Sequence, residues 1–364
     1  DAATITVPDN YPSIQAAINA ASPGDTIYVK AGTYDGKIVV NKTISLVGES
    51  QATTILKNTD RSSIDAGNVV EVRANGALVA NFTIREGMDG IRVEDCNDTV
   101  IRNNKIINNA QGITVANCTN ATLLDNVVND NMGGMYGWIF SGGGIEIYES
   151  SYCTMRNNSM RQNMDDFIFS GSELPHFLHD IDPSNLLIDG TVRRIYYLVN
   201  ETGESLSPTT HPDLGLLFVV NCQDVLVEGF TFVDNKPGVL LAFTSHSTVR
   251  GCTFRACNTG VLLDSCSDCT VEENTFSPGN TVGVSLDHSA NNTVSGNLMK
   301  DNLGTAVVLQ WSPGNTVSGN EIENCSGGVI LWDSSDHNSV LGNTMANAVS
   351  QTGYEGGGMT IWDS

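Results

Sequence analysis

Gly238-Val-Leu-Leu241, Gly260-Val-Leu-Leu263 and Gly283-Val-Ser-Leu286 follow one another at steps of 22 and 23 residues, and this repeat decides the fold. The same phrase stands at Gly90-Ile-Arg-Val93, Gly112-Ile-Thr-Val115, Gly144-Ile-Glu-Ile147, Gly215-Leu-Leu-Phe218, Ala306-Val-Val-Leu309, Gly328-Val-Ile-Leu331 and Gly358-Met-Thr-Ile361. Eleven residues after the opening position of most units comes an apolar residue, among them Ile101, Leu123, Met155, Val249, Val271, Val294 and Val317. Three residues further stands an Asn: Asn104, Asn126, Asn158, Asn274, Asn297 or Asn320. A period of this length means stacked supersecondary units rather than one globular core.

Each unit holds short apolar/polar alternations separated by Gly, Asn, Asp or Ser, which read as strands and turns. A 22-residue unit of that kind leaves no room for a helix. The reading is all-β: a right-handed parallel β-helix, a single-stranded solenoid of 22–23-residue coils, stacked at the strand spacing of ~4.8 Å. The recurring Asn is expected in the same turn of successive coils, bonding backbone and neighbouring Asn, in a left-handed conformation that Asn tolerates.

Residues 1–35 read as a cap and first coil. Ser13 stands in N-cap position before apolar residues at helical spacing through Ala21, so a short N-terminal helix covers the open end of the stack. The repeat predicts one domain over 1–364. The last unit stops after one strand, which reads as a piece of a longer chain with further domains at the C-terminus. Three steps exceed the period: 32 residues from Gly112, 71 from Gly144 and 30 from Gly328. Insertions are therefore expected near 131–143, 165–213 and 350–357, all leaving from one edge.

The chain carries 18 Lys and Arg against 41 Asp and Glu, a net charge of −23. Such a field repels nucleic acid and anionic membranes. No apolar run reaches the length of a membrane span. The chain therefore reads as secreted, signal peptide removed, and placed outside the cell or on its surface. Nine Cys form no paired zinc spacing. Cys96 and Cys118 share one position in adjacent coils, where either a disulfide or two small buried thiols fits. Nine Asn-X-Ser/Thr acceptors, from Asn41 to Asn324, are either glycan sites or by-products of Asn- and Thr-rich turns.

Counting from the opening Gly, positions one and three face inward and positions two and four outward. The outward row carries Arg92, Glu94, Asp95, Thr114, Glu146, Tyr148 and Glu149. It continues with Asp264, Asp287, His288, Gln310, Trp311, Trp332, Asp333, Trp362 and Asp363. Aromatic faces stack on pyranose C–H surfaces while carboxylates accept hydroxyl hydrogen bonds, so the row suits a polysaccharide. The Trp either line such a groove or pack the corner beneath the loops. The densest cluster joins Tyr136, Trp138, Glu146, Tyr148, Glu149, Asp165, Asp166, His176, His179 and Asp180. Glycosidic cleavage uses two carboxyls flanking one bond, and Asp165, Asp166, Glu146 and Glu149, with His176 and His179 beside them, are the catalytic candidates. Two His with Asp suit a metal equally, and an ordinary polar loop has the same composition. The acidic row also admits a divalent cation such as calcium; scattered Met and His give little support to copper.

The opening Ile5-Thr-Val-Pro-Asp-Asn-Tyr-Pro-Ser-Ile-Gln-Ala-Ala-Ile-Asn19, with Gly24-Asp-Thr-Ile-Tyr-Val-Lys-Ala-Gly-Thr-Tyr34, resembles the cap and first coil of pectin-lyase-like β-helix proteins. The repeats resemble the carbohydrate-binding and sugar-hydrolase group, which includes NosD-type copper-associated factors and archaeal surface proteins. His179-Asp-Ile-Asp-Pro-Ser-Asn185 and Tyr196-Tyr-Leu-Val-Asn200 are similar to a segment of those surface proteins. The resemblance implies the fold throughout, and three functions: polysaccharide binding with cleavage by hydrolase or lyase chemistry, a non-catalytic surface or adhesion module, or NosD-like copper handling. Pectinolytic relatives use Asp, Arg or Gly-His-Gly motifs; the chain has no Gly-His-Gly, and Asp165-Asp166 is its nearest match.

Overall fold

A computed structural model describes residues 2–60, 63–133, 143–234, 237–347 and 357–362. The chain divides into two compact units, Asp1–Val192 and Arg193–Ser364. Each is a stack of parallel coils.

In the first unit the coils contribute their strands to three sheets. The first sheet runs from Thr4–Val7 through eight rungs to Asp180–Ile181. The second runs from Gly32–Asp35 to Leu186–Ile188. The third holds Ile38–Val40, Val70–Val72, Asp89–Glu94, Gln111–Ala116, Gly143–Tyr148 and Asp165–Ser170. Registers match the repeat: Ile91 pairs with Ile113, and Ile113 with Ile145. The helix forms as the sequence predicts, over Ile14–Ala20, with Ser13 Oγ accepting from Ala16 N at 3.2 Å. Its buried Ile14, Ala17 and Ile18 pack toward the first coils.

In the second unit the opening-Gly strands all lie in one sheet. It contains Val192–Val199, Leu214–Val220, Val239–Ala242, Thr259–Asp264, Val282–Asp287, Thr305–Gln310, Gly327–Trp332 and Met359–Trp362. Two further sheets run from Ser205–Leu206 to Ser339–Leu341 and from Thr231–Val233 to Thr344–Ala346. The core alternates as expected, with Val261, Leu263, Val284, Leu286, Val307 and Leu309 fully buried. Phe232, Phe254 and Phe276 stack inside at ring separations of 5.2 and 4.9 Å. The recurring Gly is set by the backbone of the next rung: a Cβ on Gly260 would lie 2.7 Å from the Gly283 carbonyl, besides 2.5 Å from the Phe276 ring, and one on Gly112 2.3 Å from the Gly144 carbonyl.

Buried Asn ladders tie the rungs together. Asn104 donates to Asn126 Oδ1 at 3.3 Å, Asn126 to Asn158 at 3.0 Å and Asn158 to Asn185 at 2.9 Å. In the second unit Asn274, Asn297, Asn320 and Asn343 repeat the pattern at 2.9–3.1 Å. Each ladder amide also donates to a carbonyl of the preceding rung, as Asn126 does to Ile101 O at 2.9 Å. The left-handed conformation falls one residue earlier than expected, on Asn103, Asp125, Asn157, Glu273, Gly296 and Gly319. That residue makes the turn, and the ladder Asn then points inward. All nine Cys are buried free thiols, several at the same corners as Asn or Ser. Cys266 Sγ, for example, donates to Leu241 O at 3.3 Å and Asp264 O at 3.4 Å.

Three sequence expectations are corrected. The stretch 165–213 is not an insertion but coil. Asp165–Ser170, Asp180–Ile181 and Leu186–Ile188 add rungs to the three sheets of the first unit. Its aromatic content is coil core, since Phe167 and Phe169 point inward and are buried. The Gly mark is missing because Asp166 takes that place on the last rung of the third sheet, where no further rung of that sheet crowds it. Gly215 is a bulge residue rather than an opening Gly, because Leu217, not Leu216, pairs with Val239. The outward row is also not one stripe. Glu146 lies on the third sheet of the first unit, whereas Trp332 and Trp362 lie on the Gly-strand sheet of the second. The expected insertions near 131–143 and 350–357 fall largely outside the described residues, as do Tyr136, Trp138 and Asp363.

Candidate glycan-binding face

The first unit places its sequence-predicted residues in four surroundings. Glu146 stands on the outer face of Gly143–Tyr148 and accepts from Gln111 Nε2 at 3.1 Å; Tyr148, two residues on, is exposed. Asp165 pairs with Gly143, and Asp166 accepts from Asn163 Nδ2 at 2.9 Å. Glu149 sits at the following corner, where its Oε2 lies 2.9 Å from His176 Nδ1 and accepts from Ser172 Oγ at 3.0 Å. His179 turns into the core. Its Nδ1 accepts from Cys153 N at 3.3 Å, its ring meets Phe169 edge-on at 5.1 Å, and burial lowers its pKa to about 4. A neutral, buried imidazole of this kind is core packing. Asp180 lies on the first sheet, paired with Arg156. The structure thus joins Glu149 with His176, and does not gather the six catalytic candidates into one site.

The outer face of that third sheet holds an ion-pair ladder that sequence reasoning missed. Lys37 Nζ reaches Glu71 at 2.5 Å, Arg73 contacts Glu71 and reaches Glu94 at 3.2 Å, and Arg92 reaches Glu94 at 2.7 Å and Asp89 at 3.2 Å. Charges alternate along the chain of contacts, and Glu71 and Asp89 are buried. Burial pushes the Glu71 carboxyl upward, but Lys37 and Arg73 more than offset it and hold the group ionised. The Arg92 hydrogen bond likewise holds Glu94 low. Only knowledge of which rungs stack would have revealed these pairs.

The second unit gathers the other half of the predicted residues. Register stacking aligns Asp264, Asp287, Gln310, Trp332 and Trp362 in one outward column on five successive rungs. One residue further along each strand, Phe243, Ser265, His288, Trp311 and Asp333 line the adjoining turns. His288 and Trp311 rings stack at 4.8 Å and 28°. His288 Nδ1 lies 2.9 Å from Asp287 Oδ1, and Gln310 Nε2 donates to Asp333 Oδ2 at 3.3 Å. Trp311, Trp332 and Trp362 are 42%, 39% and 50% exposed, so each presents part of its ring to solvent. Beside the column the outward positions Leu262, Val308 and Ile330 supply a half-buried apolar floor. Burial raises Asp264 to about 6; Ser265 opposes the shift, and the neighbouring Asp287 charge adds to it. Burial also raises Asp287, against the pull of His288. Asp264 was visible in the sequence only as one member of the outward row; its stacking on Asp287 is what sets it apart.

The turn residues of this face sit in an unusual backbone state. Phe243, Ser265, His288 and Trp311 have φ of +51°, +55°, +49° and +46°. The same place in other coils holds Asp95, Asn117, Asn200 and Asn221, residue types that tolerate left-handed geometry. A bulky side chain there costs about 1–2 kcal/mol.

Comparison with known proteins agrees with this architecture. Residues 187–364 match the NosD family profile, described as periplasmic copper-binding protein, and residues 26–174 match the right-handed β-helix region. The chain is thus a right-handed β-helix whose residues 187–364 resemble NosD. No curated protein matches it. Among solved structures it is similar to the A-module of mannuronan C-5 epimerase AlgE6 from Azotobacter vinelandii, at 15% identity and TM-score 0.43, covering 96% of this chain and 94% of that chain. It is also similar to DFA-IIIase from Arthrobacter chlorophenolicus A6 in complex with GF2, at 13% identity and TM-score 0.42, covering 93% of each chain. A third is an alginate lyase from Paenibacillus sp. str. FPU-7, at 12% identity and TM-score 0.36, covering 95% of this chain and 99% of that chain. At these identities nothing about activity transfers.

The NosD description raises copper, which favours converging Cys, Met or His donors. The residues present do not fit it. Among the described residues no three of His, Cys, Asp and Glu come together, and the nine thiols are buried at coil corners, several bonded to backbone carbonyls.

Proposed function

We propose that this NosD-like protein is an exported polysaccharide-binding β-helix whose binding face lies in the second unit. The observation that carries this is the row of three exposed Trp, beside an apolar floor and aligned with carboxyl and amide groups on successive rungs. Sugar rings stack on aromatic faces, and acceptors spaced by one rung engage successive hydroxyls. Export follows the periplasmic description of the family, and cell fractionation tests it. Affinity electrophoresis through a panel of embedded polysaccharides tests the face. Retardation by at least one polymer, weakened about tenfold or more by Trp332→Ala and Trp311→Ala, is expected from the loss of stacking platforms. Mobility indifferent to both substitutions would reject the face.

Asp264 and Asp287 favour a second activity, cleavage of the bound polymer. Glycosidic hydrolysis needs one carboxyl held protonated beside another, and burial with a neighbouring charge holds Asp264 toward the protonated form. New reducing ends that disappear in Asp264→Asn are the expected outcome. Cleavage that survives there but is lost in Glu146→Ala or Asp165→Ala would move the chemistry to the first unit. Binding without any cleavage would leave the protein a surface or adhesion module.

A further inference from the structure

Among the described residues the binding face has carboxylates and no Lys or Arg. Asp264, Asp287 and Asp333 stand along it. Among the described residues of the second unit, the Gly-strand sheet carries Arg only on its first strand, at Arg193 and Arg194. Arg194 is paired with Asp213 at 2.6 Å, and Arg193 donates to Val233 O at 3.2 Å. Arg250 lies on one of the other two sheets, paired with Glu228, and Arg255 and Lys300 lie on the remaining one, Lys300 paired with Glu323. His288 is the one basic group beside the carboxyl pair, and it already contacts Asp287.

Resting on the glycan reading above, we propose that this face selects an amine-bearing glycan, with hexosamine ammonium groups on Asp264 and Asp287 and pyranose rings on Trp311 and Trp332, and that it rejects polyuronates. A polymer with one carboxylate per sugar would bring like charges against a half-buried acidic pair, with no Lys or Arg among the described residues of that face to receive them. Like-charge juxtaposition at an interface is strongly disfavoured and sets specificity more than affinity. An ammonium group instead supplies the counter-charge that two stacked carboxylates lack. An uncharged sugar has the aromatic platform and hydroxyl contacts but no ion pair, and falls between the two.

The groups that face Asp264 are Ser265, Asp287 and His288; the rung on its other side presents Ala242 and Phe243, which do not titrate. Because Asp264 titrates near 6, its hold on an amine weakens as pH falls through that value. Added salt weakens it too, since both charges are partly exposed.

The test is calorimetric titration of the whole chain with three hexasaccharides of equal length, built from glucosamine, glucose and galacturonate. At pH 7 and low salt the expected order is glucosamine tightest, by about tenfold over glucose, with galacturonate unmeasurable. Asp264→Asn/Asp287→Asn should abolish the preference, so that glucosamine and glucose bind the variant with equal affinity. Galacturonate binding as tightly as glucose, or a glucosamine preference unmoved by the double variant, would overturn this selectivity and leave the glycan reading standing. Glucose and glucosamine binding that ignores Trp311→Ala and Trp332→Ala would instead overturn the glycan reading, and the selectivity with it. Correct folding of the double variant is checked by a melting temperature no lower than that of the parent chain.

Discussion

The two units carry the same coil but treat its outward positions in opposite ways. In the first, the early strands of the third sheet set charge against charge: Lys37, Glu71, Arg73, Glu94, Arg92 and Asp89 form one continuous alternation. In the second, the Gly-strand sheet leaves carboxylates stacked on one another and aromatic rings open to solvent. A face whose charges satisfy each other has little to offer a ligand and mainly holds the sheet. A face with unneutralised carboxyls, exposed rings and bulky residues in left-handed turns lowers stability, and such features persist at sites that do something. The difference separates a structural polar face from a candidate site without any appeal to chemistry already known elsewhere.

The sharpest way to break that comparison is to remove one carboxyl from each face and follow urea unfolding. Glu71→Ala leaves Lys37 and Arg73 facing a buried gap, and breaking a buried ion pair costs about 3–5 kcal/mol. The lower end is expected, because both partners reach water. Asp287→Ala removes a charge that pushes against Asp264, so its effect should stay within about 0.5 kcal/mol or be stabilising. Equal losses in the two variants would mean that the second face is also held by its charges.

Proton linkage gives a second contrast, with opposite signs. His179 has its pKa lowered from 6.5 to about 4, so the folded state binds fewer protons than the unfolded chain between those values. Its contribution is present above pH 6.5 and is lost as pH falls toward 4, roughly 3 kcal/mol in all by the shift. Asp264 has its pKa raised from 3.8 to about 6. The folded state then holds the extra proton, so this contribution is present below pH 3.8 and is lost as pH rises through 6. Solvent around the partly exposed carboxyl reduces the effect to on the order of 1 kcal/mol. Native-state hydrogen exchange at pH 4, 5 and 7 should show the core around Met155 and Phe169 weakening in acid while the coils around Leu263 and Leu286 strengthen. His179→Phe should abolish the first slope and Asp264→Asn the second; parallel slopes in both regions would contradict the assignment.

Much of this was legible in the sequence because a solenoid turns long-range pairing into a fixed spacing. Once the 22-residue step is seen, Asn104 must meet Asn126, and the inward sides of Ile91 and Val93 follow. The period failed where its marker was absent. Asp166 and Leu216 stand where Gly is usual, so two coils between Asp165 and Asp213 read as an excursion. The move of the Gly strands onto another sheet has no local signature either, because a strand does not announce which sheet it joins. His179 seemed a site residue because it follows a polar loop, and only the packing of Phe169 shows that it points inward. The face of the second unit was legible as a list of outward residues, but its carboxyl pair required register.

The smallest expected effect bears most directly on why that face is built as it is. Trp311 occupies a left-handed turn, φ +46°, that Asn fills in other coils. Trp311→Asn should release about 1–2 kcal/mol of backbone strain. It forfeits the stack on His288, worth about 0.5–1.5 kcal/mol. The balance favours the variant by about 0.5 kcal/mol, a melting-temperature rise of a degree or two for a chain of this size. Asn117→Trp in the first unit runs the substitution backwards: it meets the strain without a ring to stack on and should lose about 1–2 kcal/mol. If Trp311→Asn gains stability while losing glycan affinity, the ring is retained at that turn for its exposed face. If the variant is destabilised by more than about 1 kcal/mol, the ring is a packing element and the strain comparison between the two units falls.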